Sequence, residues 1–105
     1  MINTTTPKNL NDLVEYQLGS VVSKTLIKES AGSVTLFAFD KEQELSEHSA
    51  PYDAMVNIIE GEALVTIEGK PFPVKQGQML VMPANVPHAV KAPEQFKMML
   101  TMIRS

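Results

Sequence analysis

From Val21 onward, the apolar and polar positions fall into short β-rich runs: VVSKTLI (21–27), SVTLFAF (33–39), AMVNIIE (54–60), EALVTIE (62–68), PFPV (71–74), MLVM (79–82), HAVK (88–91) and FKMMLTMI (96–103). β-Branched and aromatic residues are frequent in them, as in strands, and the clearest runs alternate with the period of a pleat buried on one face. Between them stand Ala31-Gly32, Gly61, Gly69-Lys70, Gln76-Gly77 and the proline-bracketed PANVP at 83–87. Such short connections favour antiparallel neighbours, and no stretch reads as a βαβ crossover. So many short strands would leave sticky edges in one open sheet. The pattern therefore predicts an all-β fold, a closed antiparallel barrel or sandwich.

Ahead of the strands, PKNLNDLVEYQ places Leu10, Leu13 and Val14 at helical spacing behind Pro7 and Asn9, which predicts a short helix. The expected organisation is an N-terminal arm with a short helix over residues 1–20 and a single β-barrel domain over 21–105. No repeat, charge block or low-complexity segment interrupts it.

Composition removes several function classes. A chain of 105 residues suffices for one compact domain and one site. Its net charge of −3 with scattered Lys and Arg argues against nucleic acid and anionic membrane as partners. The absence of cysteine excludes disulfides, thiolate metal sites and thiol nucleophiles, and leaves the cytoplasm as the expected compartment. The first residues lack a signal-peptide pattern, and no window approaches the ~18 apolar residues that span a bilayer, so a soluble, unexported protein is expected.

The candidate chemistry rests on the two histidines, His48 and His88. In an extended segment His48 and Ala50 face the same way, and His88 follows Pro87 at the start of a strand, so two stiffly held imidazoles could converge across a barrel. Taken singly each has a plainer role: His48, next to Glu47, as a surface histidine, and His88 as a half-buried strand residue. Asp53, in the turn APYD, has the plainer role of capping backbone N–H groups, and Tyr52 that of a lid over the core. Phe96, Met98, Leu100 and Met102 share one face of the last run, which is core by default. Were that face to line a cavity, its adaptable thioethers would suit an apolar or planar organic molecule.

At these residues the chain resembles the cupin superfamily, specifically the small single-domain conserved-barrel cupins, over about Val21 to Ile103. The first cupin motif runs Gly, five residues, His-x-His, three or four residues, Glu, six residues, Gly; Glu42, His48, Ala50, Ala54 and Gly61 stand in those places. The second runs Gly, five residues, Pro-x-Gly, two residues, His, three residues, Asn; Gly77, Pro83, Asn85, His88 and Ala92 stand there. The resemblance implies a jelly-roll barrel with His48 and His88 as ligands of a divalent transition metal (Zn, Ni, Fe or Mn). Ala50 and Ala54 occupy the places of a third histidine and the glutamate and donate nothing, so Gln43, Tyr52, Asp53 and Met98 are the candidates to complete the site or line a ligand pocket. The lack of an Arg or Lys cluster near the motifs argues against the nucleotide-sugar epimerase branch.

The resulting expectation is a barrel that binds a small organic molecule, with a weakly held divalent metal at the two histidines. The alternative is a metal-dependent enzyme of dioxygenase, isomerase or lyase type, and a third reading is a filled barrel serving as an oligomeric scaffold. Apolar strand surface beyond what the barrel turns inward, including Ile59 beside Asn57, predicts a homodimer.

Overall fold

The structure is a computed structural model and describes residues 5–104. Residues 1–4 of the expected arm and Ser105 of the expected barrel domain lie outside the described residues. The described strands are β1 (Val21–Glu29), β2 (Gly32–Phe39), β3 (Glu44–His48), β4 (Asp53–Glu60), β5 (Glu62–Ile67), β6 (Lys70–Lys75), β7 (Met79–Met82), β8 (His88–Lys91) and β9 (Phe96–Ile103). They form a five-stranded sheet in the order β1-β2-β9-β4-β7 and a four-stranded sheet in the order β3-β8-β5-β6. Every pairing is antiparallel, and the two sheets face each other as a jelly-roll barrel. The run pattern misses only β3. That strand is short and exposed apart from half-buried Leu45, so it lacks the apolar alternation that marks the others; a short charged strand at a sheet edge also resists pairing with another chain.

The alternation builds the core in layers. Across the five-stranded sheet, Phe39 pairs with Phe96, and Phe37 and Ile58 flank Met98. Nearer the other end, Thr35, Leu100, Val56 and Leu80 form one row, and Ser33, Met102, Ala54 and Met82 the next. Opposite them the four-stranded sheet contributes Val65, Val74 and Val90. Phe39 and Phe96 are fully buried and stack with centroids 4.5 Å apart, so one end of the barrel is filled with aromatic rings.

Gly61 joins the two sheets in a single step, between β4 and β5. Its φ is +79°, and a Cβ there would lie 2.5 Å from the Gln95 carbonyl oxygen, so both the backbone and the space require glycine. The β5–β6 turn, Glu68-Gly69, has positive φ at both residues (51° and 79°), the sign pattern of a type I′ hairpin turn that matches strand twist.

The expected helix is one 3-10 turn, Leu10–Asp12. Asn9, Asn11 and Asp12 are weak helix formers, and the Asn9 side chain bonds to Asp12 rather than capping the backbone. The chain then runs over the outer face of the five-stranded sheet, where Leu13, Val14 and Tyr16 pack on Leu26, Leu36, Ala38, Ile59 and Met99. Polar contacts hold it there: Tyr16 and Asn11 donate to the two oxygens of Glu60, and Lys97 donates to the Asn11 carbonyl at 2.8 Å with its ammonium 5.0 Å from the Tyr16 ring centroid. At the other end of this segment the Gly19 N–H donates to Asp40, which also accepts from Gln95.

The Tyr16 hydroxyl, with Asn11 and the nearby Lys97 charge, holds the Glu60 carboxyl below its ordinary range against the opposing effect of burial. A carboxylate with a lowered native pKa stabilises the fold fully above its unfolded value, roughly pH 4.3, and that contribution is lost as pH falls through the native value. Glu60→Gln should therefore cost about 1 kcal/mol at pH 7, allowing for its partial solvation, and the deficit should shrink below about pH 4. Urea melts of both proteins at pH 7, 5 and 3.5 check this; a deficit that is constant with pH would contradict the role of the charge.

Candidate functional site

Alternation along β3 turns Leu45 inward, and a period of two would place Glu47 next on that face. The register slips instead. Leu45 pairs with Val90 and His48 with His88, so three steps on β3 oppose two on β8. This bulge leaves Glu47 exposed and gives the inward place to His48. The two rings meet edge to face, with centroids 4.5 Å apart and planes at 69°.

Each ring is fixed by its own backbone. His48 Nδ1 lies 2.8 Å from the Ser46 carbonyl oxygen and His88 Nδ1 lies 3.1 Å from that of Val86. A carbonyl only accepts, so in the neutral rings Nδ1 carries the proton and Nε2 keeps the free lone pair. His88 is buried and His48 exposed. Burial holds the His88 imidazole below its usual pKa, and His48 pushes the same way against the Val86 bond. Near neutral pH the His88 lone pair is therefore available.

Behind the rings lies a cavity of about 50 Å³ walled by Leu45, Val90, Ala54, Met82, Met98, Leu100 and Met102, with Ala50 and Tyr52 at its rim. It is far smaller than the roughly 300–1,000 Å³ of ordinary ligand pockets, because methionine and leucine side chains fill the layer beneath it. Met98 and Tyr52, two of the four candidate ligand residues, thus sit with the histidines. The other two do not. Asp53 accepts the Ala84 N–H at 2.9 Å and ties the proline-bracketed loop to the start of β4. Gln43 lines a separate surface hollow with Lys91 and Pro93. Among the described residues no three His, Asp or Glu side chains are grouped so as to hold a metal ion.

Two further hollows lie nearby. One, about 510 Å³, is an open surface hollow lined by Phe72 and Lys70 of β6 and Leu80 and Val81 of β7; it contains neither histidine. The other, about 280 Å³, shares Tyr52 and Met102 with the histidine cavity and is otherwise lined by Lys28, Glu29, Gly32, Ser33 and Arg104. Reading the sequence misses it, because Lys28 and Arg104 lie far apart along the chain, in β1 and just after β9, and only the pairing of both strands with β2 brings them together.

The cupin domain family profile matches residues 35–104. The chain belongs to the cupin family. Among solved structures, it is similar to a conserved Streptococcus pyogenes protein of unknown function (38% identity, TM-score 0.94, covering 99% of this chain and 91% of that one). A cupin 2 conserved barrel domain protein from Leptotrichia buccalis is similar at 44% identity and TM-score 0.90 over 92% of this chain, which spans only 47% of that protein. A cupin superfamily protein from Desulfitobacterium hafniense aligns at 25% identity and TM-score 0.93, covering 99% and 95% of the two chains. No functionally curated protein matches.

With the cupin frame in place, the departures from its motifs gain a physical meaning. The four motif glycine places are Glu42, Gly61, Gly77 and Asn85, and all four are left-handed, with φ of 69°, 79°, 84° and 62°. The cupin backbone is kept where the glycine is not. Asn tolerates this region, whereas Glu is strained there. Glu42→Gly should therefore stabilise the fold by up to about 1 kcal/mol, while Gly61→Ala, which adds a clash to the strain, should cost roughly 2–4 kcal/mol. Chemical denaturation of the two variants beside wild type tests the contrast, and equal effects would undo it.

Proposed function

We propose that this cupin is a small-molecule binding module whose site centres on His48 and His88, and that any divalent ion there is held weakly and exchanges. The observation that carries this reading is the make-up of the histidine cavity: two oriented imidazoles with free Nε2 atoms, and alanine at both remaining places where cupins put metal ligands. Divalent transition ions normally require at least three protein donors before water completes the sphere. Two imidazoles, with Tyr52 and thioethers as their nearest company, do not fit a retained metal centre. The alternative, a metal-dependent enzyme, draws on the same two rings but would need donors from outside this cavity. The absence of cysteine is compatible with a cytoplasmic setting, and no helix among the described residues is long and apolar enough to cross a membrane.

We further propose that two copies associate through the outer face of the five-stranded sheet. Ile59, expected to contribute, is half-buried beneath the N-terminal segment. The surplus lies elsewhere: Ile27, Val34, Thr101, Met55 and Val81 form one uncharged row across the whole sheet, with Ile27 and Val81 about half exposed. A two-fold axis sets such a row against itself. Light scattering at tens of micromolar should give a dimer mass for wild type and a monomer for Val81→Glu; a monomeric wild type refutes the association.

For the site, Ala50→His with Ala54→Glu should restore a four-donor set and strengthen Zn or Ni binding by more than a hundredfold, about 3 kcal/mol. Ala54→Asp serves as the smaller second variant, since the cavity is tight against Met82 and Met98. Calorimetric titration of folded variants beside wild type decides. Unchanged affinity would mean that these positions do not address the histidines.

A further inference from the structure

The row of paired residues at the open end of the barrel continues past the histidine cavity. Ala54 and Met82 border the cavity, Met102 pairs with Ala54, Ser33 with Met102, and Lys28 with Ser33. Directly paired residues lie on one face of a sheet, so Lys28 lies on the interior face at the mouth, in line with the site. Arg104 reaches the same place from the end of β9, its N–H donating to the Ala31 carbonyl at 2.8 Å and its guanidinium 4.8 Å from the Tyr52 ring centroid. The hollow between them, about 280 Å³, meets the histidine cavity at Tyr52 and Met102.

Its charge is specific. Two cations line it against one carboxylate, Glu29, and among the described residues neither Lys28 nor Arg104 makes an ion pair, the two ion pairs being Lys41–Glu94 and Lys91–Glu44. A guanidinium lying over an aromatic ring retains its edge N–H donors, whose fork matches a planar carboxylate. Lys28 supplies a second positive charge, the Ser33 hydroxyl is a neutral donor, and Glu29 disfavours a doubly charged anion. We propose that this hollow takes the carboxylate end of a small monoanionic organic acid, whose apolar or aromatic body lies along Tyr52 and Met102 toward His48 and His88. The inference rests on the small-molecule reading above and names the ligand class. It does not require a metal.

Benzoate is a suitable probe, with benzamide as its neutral analogue and inorganic phosphate as the anion of higher charge. In amide NMR titrations, benzoate should shift Lys28, Ser33, Met102 and Arg104, and bind at least tenfold more tightly than either control. Arg104→Gln and Lys28→Gln lie at the exposed mouth, should leave the fold intact, and should each weaken benzoate at least tenfold. No shift at these residues, equal binding of benzamide, tighter binding of phosphate, or indifference to Arg104→Gln overturns the proposal. His48→Ala with His88→Ala separates the two readings: benzoate shifts at the mouth that persist in this variant support the anion hollow whatever becomes of the histidine site. Shifts confined to the histidine cavity and unaffected by Arg104→Gln refute the hollow while leaving the binding module standing.

Discussion

The stacking of Phe39 on Phe96 is the contact from which the barrel is organised. The two residues are cross-strand partners, both fully buried, and their rings occupy the end of the barrel where the chain crosses from one sheet to the other. Because Phe96 also stands against Gly61, that crossing has no room for a side chain. Truncating either ring would cost about 3–5 kcal/mol. The same pairing sets the register of β9 between β2 and β4, so that Met98, Leu100 and Met102 descend in order toward the open end. The position of the site thus follows from how the opposite end is filled.

Much of this was legible in the sequence, for a physical reason. Strands such as β4 and β9 bury one face, and a period of two writes that burial into the residue order. Turn residues marked the breaks. Where neither signal operates the sequence is silent: β3 has one half-buried residue, and the helical spacing of Leu10, Leu13 and Val14 reflects packing onto a sheet rather than a helix. Left-handed backbone at Glu42 is not written in the glutamate itself; only its place at the first motif glycine points to it.

Of the candidate site, the two histidines stood out in the sequence, and their geometry did not. His48 and His88 stand at motif spacing, but their meeting depends on the bulge between Leu45 and His48, which strict alternation would have forbidden. Asp53 illustrates the reverse. It neighbours the site in sequence, yet its carboxylate bonds backbone, the commoner use of an acid beside a turn. Lys28 and Arg104 were unreadable as a pair because only the intervening strand β2, paired with β1 on one side and β9 on the other, places them together.

The central place of β9 in the five-stranded sheet has a consequence for how the chain reaches this structure. It is the ninth strand in sequence order, yet β2 and β4 are held together only through it. Until residues 96–103 are present, β1–β2 and β4–β7 are separate hairpin-like pieces with open edges, and most stabilising pairs bridge distant parts of the chain. Folding of this kind closes long loops before burial rewards them, which makes it slow and highly cooperative. A partly synthesised chain would therefore carry its aggregation-prone edges until the last strand arrives.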